Sequence, residues 1–433
     1  MTSSTFTRRG FMGLVGAAGL AGAAAGCSNG SPGSGSAALQ VALWGNAKRA
    51  DLYKQALKLF TDAHAGTTAT LQYADLNPYL ERLATQSAAG SLPDVLWMRD
   101  THIGRYGKAK VLLDYTPYLD KTIQAADLGK QAIPDGKIAG GIYALPTHFV
   151  GQALVGSGTA LDKKGVKLTA IQTWDDLANA AKELTDPSNG FYGLTDTSLS
   201  PSTHRDVEAW IRQHGEEVFT PGGGPGFTAD TLASYFSYFD QLRKAQAVPP
   251  PDVQTQAFSA GLTGDLVVTG KVALNPTSSN QLTQLQPATK IPLQMTSLPA
   301  AKDASPDWWF FPPILISASA KTKNPDVAAQ LINFFLNDVD AAKITRLDQG
   351  APSSSKILDA LLPSLNPTEK IFVSQIRREQ GYPSRPLPIR PQGASQLDTI
   401  ISLAGQQVAF GKASISQAVA DLMASAQKAL PES

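Results

Sequence analysis

Between Leu39 and Met98 three short apolar runs alternate with two stretches at helical spacing, and this alternation restricts the fold more than any other feature. The runs are Leu39 to Leu43, the weakly alternating Thr68 to Tyr73, and Val95 to Met98, the last behind a Pro93-Asp94 turn. Between the first two, Leu52, Tyr53, Ala56, Leu57 and Phe60 recur on one helical face. Between the last two, Leu80, Leu83 and Ala84 lie in a helix from Tyr79 to Ala89 that stops at Gly90. Strand–helix–strand order predicts an α/β sheet. After Met98 the polarity changes abruptly at Arg99-Asp100-Thr101-His102, and a helical run leads to Val111-Leu112-Leu113-Asp114. A buried strand that ends in polar residues is where α/β proteins hold ligands, and also where they carry ordinary solvated caps.

The pattern continues downstream. Asp135 to Pro146 reads as a turn, a strand and a proline stop. Thr173-Trp174-Asp175-Asp176 has capping-box form and opens a helix through Leu177, Ala181 and Leu184. Tyr192 to Leu194 is a short strand, and His204 to His214 a helix with Val207, Trp210 and Ile211 on one face. Leu232 to Leu242 is helical, Gly270 to Leu274 a strand running into a polar turn, and Ile291 to Leu298 another strand. Asn324-Pro325 begins a helix with Asn as cap, and Gln349 to Pro352 is a turn. Ser414 to Gln417 caps a last helix with Val419, Leu422, Ala426 and Leu430 on its apolar stripe. A chain of 433 residues, 42% hydrophobic, exceeds one ordinary core and suggests two lobes.

The first 26 residues read as a leader. Arg8-Arg9 precede Gly13 to Gly26, all small or apolar, which is a charged region before an export segment of twin-arginine type. Ala24-Ala25-Gly26-Cys27 is similar to a bacterial lipobox, and Cys27 is the only cysteine. Cys27 is therefore expected to be the acylated first residue of the mature chain, followed over residues 27–38 by a flexible Ser/Gly tether. Removing Met1–Gly26 takes away two arginines and no acid, which moves the formal charge from +1 to −1. So balanced a surface argues against nucleic acid.

Catalytic patterns are weak. His64, His102, His148, His204 and His214 show no metal-ligand spacing, and no phosphate-cradling glycine motif stands between a strand and a helix, so no metal or cofactor is expected. Ser353-Ser354-Ser355-Lys356 fits S-x-x-K without its companion motifs. Asp175/Asp176 and Glu216/Glu217 are adjacent on presumed helices, where neighbours point apart.

Taken in order, these pieces resemble the extracellular solute-binding proteins of ABC importers, in their carbohydrate-binding, maltose-binding-protein-like group. The resemblance rests on Pro93-Asp94-Val95, Val111 to Asp114 with Pro117-Tyr118-Leu119, Gly141 to Pro146, Thr173 to Leu177, Phe191 to Leu194, Gly270 to Leu274, Asn324 to Ala329 and Gly350-Ala351-Pro352. Two places depart from the family pattern. Ala153 to Ser157 stands where Tyr-Asn is usual, and Asn275-Pro276-Thr277-Ser278 lacks the family's Trp. The resemblance implies a two-lobed α/β fold with a ligand cleft between lobes joined by crossing hinge strands. It places an N-terminal lobe at 39–146 plus 314–356 and a C-terminal lobe at 147–313 plus 357–433. Crossings are expected near Thr147 to Gln152, near Phe310 to Ile316 and beyond Ser355.

Carried over by motif, the resemblance places Trp44, Asn46 and Lys48 in the cleft after the first strand, and Arg99, Asp100 and Thr101 after the third. His148 and Phe149 follow Pro146; Asn275, Thr277 and Ser278 follow the Gly-Lys strand; Trp308 and Trp309 precede a crossing. Sugar recognition needs flat aromatic faces and fixed polar groups, which these residues supply. Strand alternation sends one of Trp308 and Trp309 toward the cleft and the other into a lobe. Trp97 and Trp210 read as core. The implied protein is a monomer without catalytic activity, held on the outer face of the bacterial cytoplasmic membrane. It passes a mono- or oligosaccharide to permease subunits. The same fold could take an amino-acid-like, polyamine or phosphorylated ligand; a secreted hydrolase is the alternative of another class.

Overall fold

The computed structural model describes residues 36–129, 132–200, 205–388, 390–391 and 393–430. The leader, Cys27, most of the tether and His204 lie outside the described residues. Twelve strands are described: β1 (Ala37–Trp44), β2 (Thr67–Ala74), β3 (Val95–Arg99), β4 (Lys137–Ile138), β5 (Gly141–Ile142), β6 (Leu145–Phe149), β7 (Gln152–Ser157), β8 (Tyr192–Leu194), β9 (Val272–Ser278), β10 (Leu293–Ser297), β11 (Pro313–Ala318) and β12 (Ala351–Pro352). They form a six-stranded sheet in the order β12-β6-β11-β3-β1-β2, a four-stranded sheet β10-β7-β9-β8, and the hairpin β4-β5.

The first sheet grows from the three apolar runs at the N-terminus. β1 pairs in parallel with β2 and β3, and helices Ala47–Ala63 and Leu76–Ala89 make the two crossovers. β3 is buried at every position from Val95 to Met98 because helices cover both faces of the sheet. Trp97 has no exposed surface and packs edge-on against Tyr53 and Phe335, with ring centroids at 5.1 and 4.8 Å. β11 then enters antiparallel between β3 and β6, and β12 adds to the far edge.

Two prolines sit inside strands where the sequence suggests stops. Pro146 is tolerated because the β6–β11 register slips between Ile314 and Leu315, a bulge at which its missing N–H costs no ladder bond. Pro276 is tolerated because β8 accompanies β9 only as far as Leu274, leaving β9 an edge at that point. Gln349 to Pro352, read as a turn, ends in β12. Asn324 precedes its helix without a side-chain capping bond, whereas Thr173 forms the full reciprocal capping box with Asp176.

The two sheets carry separate cores. One joins Leu39, Val41, Trp97, Leu145, Leu315 and Leu331. The other joins Leu154, Trp174, Trp210, Phe236 and Leu274 with the C-terminal helices Ala394–Ala409 and Ile415–Ala429. The chain passes from the first sheet to the second between Phe149 and Gln152, and returns between Ser297 and Pro313. At the first passage the Gly151 N–H donates to Ser279 Oγ at 2.9 Å, and the Ser279 N–H donates to the Gly151 carbonyl at 2.9 Å. Gly151 lets the Glu379 carboxyl approach closely: a Cβ there would meet Glu379 Oε2, which would have to shift.

Among the described residues no helix is long and apolar enough to cross a membrane.

Candidate functional site

Strand direction decides which sheet ends meet. In the first sheet Arg99, Ile314, Pro313, Phe149 and Ala351 lie at one end. In the second, Gln152 pairs with Ser278 and Ala153 with Ser297, while β8 runs parallel to β9 and releases its loop at the same end. Only Val150 and Gly151 separate Phe149 from Gln152, so these ends adjoin. This is the crevice outside strand ends where open α/β sheets bind ligands.

A cavity of about 400 Å³ opens at that end of the second sheet. Strand β9 contributes Asn275, Thr277 and Ser278, three of the residues expected from the sequence. Gln152 enters from the crossing, Thr195, Thr197 and Ser200 from the loop after β8, and Asp206 from helix Arg205–Gln213. Gln254 and Phe258 come from helix Pro251–Ala260, and Asp265 from the turn before β9. Both carboxylates are engaged. Asp265 accepts from the Val267 and Val268 N–H groups at 2.9 and 3.4 Å and from Asn275 Nδ2 at 3.2 Å. Burial raises its pKa, and these bonds oppose the rise. Asp206 accepts from Tyr235 Oη at 2.7 Å and from Thr197 Oγ1. Gln152 is 3% exposed, and its Nε2 is buried with no hydrogen-bond partner.

The polar end of β3 is arranged differently. Asp100 begins helix Asp100–Lys108 and is buried against Arg390. Arg390 Nε donates to Asp100 Oδ2 at 3.2 Å, and its Nη2 donates to both Glu208 oxygens at 2.9 and 2.7 Å. Asp100 belongs to the first sheet's side, Glu208 and Arg390 to elements of the second core. One guanidinium therefore ties the two lobes together. Burial works against its charge, but Glu208 and Asp100 outweigh burial and raise its pKa. Arg99 and Thr101 line the small crevice beside it, and Thr101 Oγ1 lies 2.7 Å from His102 Nδ1.

A second cavity of about 380 Å³ is lined by Phe149, Phe310, Phe311 and Tyr382, with Asp135 and Arg385. Burial, and then the charge of Asp100, push the Asp135 carboxyl up to about 7. Trp309 is buried, with its ring 4.9 Å from Trp308 and 5.3 Å from Tyr382. Trp308 is half-buried against the second core, and its carbonyl accepts from Arg212 Nε at 3.0 Å. Both line a groove on the β10 side, separate from the Asn275 cavity.

The remaining expected residues scatter. Trp44 is buried against Tyr79 at 5.9 Å, Asn46 caps its helix by accepting from the Arg49 N–H at 3.0 Å, and Lys48 is exposed on that helix. His148 faces inward beside Tyr53 and Trp97, and burial lowers its pKa to about 3, so it is neutral. Ser353 donates to the Pro146 carbonyl at 2.5 Å, which commits the one hydroxyl of the S-x-x-K run that a nucleophile would need. Among the described residues no three His, Cys, Asp or Glu side chains come together as a metal group.

The sequence reading missed Gln152, Thr195, Asp206, Gln254, Asp265 and Arg390. Gln152 carried a signal: it is the lone polar residue opening an apolar run, Ala153-Leu154-Val155, at a crossing.

Residues 55–366 match the family model of the bacterial extracellular solute-binding proteins. The chain belongs to this family. A family 1 extracellular solute-binding protein from Alicyclobacillus acidocaldarius shares 26% identity at a TM-score of 0.72, over 91% of this chain and 98% of that one. A periplasmic oligogalacturonide-binding protein from Yersinia enterocolitica, in complex with saturated digalacturonic acid, is similar at 18% identity and TM-score 0.77, over 91% and 99%. An ABC substrate-binding protein from Listeria monocytogenes, in complex with cycloalternan, is similar at 20% and 0.76, over 90% and 98%. The two-lobed architecture is common to all, and this solute-binding protein is an exported component of ABC transport.

Proposed function

We propose that this solute-binding protein captures a sugar or short oligosaccharide and delivers it to the permease of an ABC importer, tethered to the membrane by lipid on Cys27. The observation that carries the reading is the lining of the Asn275 cavity. Its amides and hydroxyls come from several separate elements and converge at the sheet end. A volume of about 400 Å³ lies within the roughly 300–1,000 Å³ of small-molecule sites. Hydroxyl-rich ligands both donate and accept, and Asn, Gln, Thr and Ser match both roles. The protein acts without turnover, as a monomer, by closing its lobes on the ligand.

A thermal-shift panel of sugars, amino acids and sugar phosphates tests this, because a ligand selective for the folded state raises the melting temperature. At least one sugar should do so. Asn275→Ala should weaken its binding by about 1–3 kcal/mol, the cost of an unpaired buried polar group. A panel in which only amino acids shift the transition refutes the sugar reading. Cys27→Ala should release the protein from membranes; unchanged fractionation would refute the anchor.

A further inference from the structure

We propose that Glu379 is a proton-operated latch on the hinge: protonated, it holds the two passages between the lobes in the described arrangement, and ionised, it releases them.

Glu379 is the last residue of helix Pro367–Glu379 and has no exposed surface. Its Oε2 faces Gly151 at close range, at the passage from the first sheet to the second. Its Oε1 accepts from Ser297 Oγ at 3.0 Å, and Ser297 ends β10, where the chain begins its return. Gln375 Nε2, one turn back on the helix, donates to the same Oε1 at 2.6 Å and also to Ser297 Oγ. Tyr382 Oη lies 3.3 Å from Ser297 Oγ, on the segment that runs on to Arg390. One carboxyl group therefore touches both passages, and the chain beyond it leads to the guanidinium that ties the lobes.

This place suits the neutral acid. A carboxylate calls for donors on both oxygens, and Oε2 is buried with none. The C-terminal end of a helix adds the partial negative charge of its unpaired carbonyls. Arg378, the next residue on the helix, is the charged group that acts on it, and Tyr382 is the other titratable group beside it. Arg377 is paired with Asp359, and Glu369 with Arg346. The elements packed on the helix from the second lobe are β10, the Ser279–Gln281 turn and helix Leu282–Ala288, and none carries a titratable side chain. Burial raises the carboxyl to about 8 in agreement with this. Ionisation creates a need for water at Oε2, and the Gly151 backbone stands in the way. Water reaches the oxygen when that passage shifts off it. The two hinge arrangements then differ in proton affinity, so each pH unit in the window below 8 multiplies the released form by up to about tenfold. The family is extracellular, so the hinge meets the pH of the medium directly.

Small-angle scattering of the unliganded, full-length mature protein from pH 5 to 9 tests this. Tryptophan emission is the local readout, since the Trp309 ring lies 5.3 Å from Tyr382. The parent should widen and its emission shift as pH rises, with far-UV circular dichroism unchanged. Glu379→Gln, neutral at every pH, should keep the low-pH radius and emission throughout. Gln375→Leu removes a donor that favours the ionised form, and should move the transition to higher pH. A parent whose radius and emission stay constant overturns the inference. So does a transition that persists in Glu379→Gln, or one that stays in place in Gln375→Leu.

Discussion

Replacing Arg390 by methionine should lower the stability of the unliganded protein by about 3–5 kcal/mol and widen it in solution. Removing one partner of a buried ionic group costs about that much, because the opposite charges stay behind in a poor solvent. Here one guanidinium faces two carboxylates, Asp100 and Glu208, and lies 5.4 Å from the Phe219 ring. Methionine keeps the length and much of the apolar stem, so packing is largely preserved and charge is the variable. Without the guanidinium, Asp100 and Glu208 lose the partner they share across the lobes, and that link no longer opposes the lobes parting. Small-angle scattering of the apo protein should therefore report a larger radius of gyration, alongside a lower urea midpoint. Arg390→Lys keeps the charge but not the planar fork, and should fall between. Equal stability and radius in Arg390→Met and parent would show that the lobes are held by other contacts.

Glu379→Gln should make the protein more stable at pH 8 by a few kcal/mol while leaving it nearly unchanged near pH 4.5. Glu379 is fully buried behind the crossing. Burial raises its carboxyl to about 8 from an ordinary 4.5, against the opposing effects of Gln375, Ser297 and Arg378. Ser297 Oγ and Gln375 Nε2 donate to Oε1 at 3.0 and 2.6 Å, while Oε2 is buried without a partner against Gly151. Tyr382 Oη reaches the same Ser297 hydroxyl at 3.3 Å. Between pH 4.5 and 8 the folded chain holds a proton that the unfolded chain has released. Stability therefore falls as pH rises through that window and levels off above it. Glutamine cannot ionise and removes the slope. Urea titrations of both proteins at pH 5, 6.5 and 8 check this, and parallel pH profiles would be the contrary result.

The parallel part of the first sheet is legible because each strand is a run that fills its own burial pattern, with glycine or Pro-Asp punctuation between. The insertion of β11 between β3 and β6 is not, since nothing local to Pro313–Ala318 names its partners. Pro146 and Pro276 mislead for a related reason. A proline breaks a strand only where its N–H is needed, and need depends on neighbours far off in sequence. At the candidate site, Asn275, Thr277 and Ser278, which the family resemblance places after the Gly-Lys strand, line one cavity. Asp100 was visible as a polar strand end, but its partner was not. Arg390 lies in a proline-rich stretch without periodicity, and only the tertiary fold brings it to Glu208.

The position of β11 also governs how the chain must fold. β3 is complete once Arg99 has been made, yet its second neighbour is supplied only by residues Ile314 to Ala318, and β6 waits for β12 at Ala351. During synthesis the most apolar strand of the first sheet stays open along one edge while most of the chain is still being added. An unpaired apolar edge is a template for pairing with other chains, and long-range pairing is slow to form. Neither lobe can be finished and set aside before the other begins, which leaves that edge open to mispairing for most of synthesis.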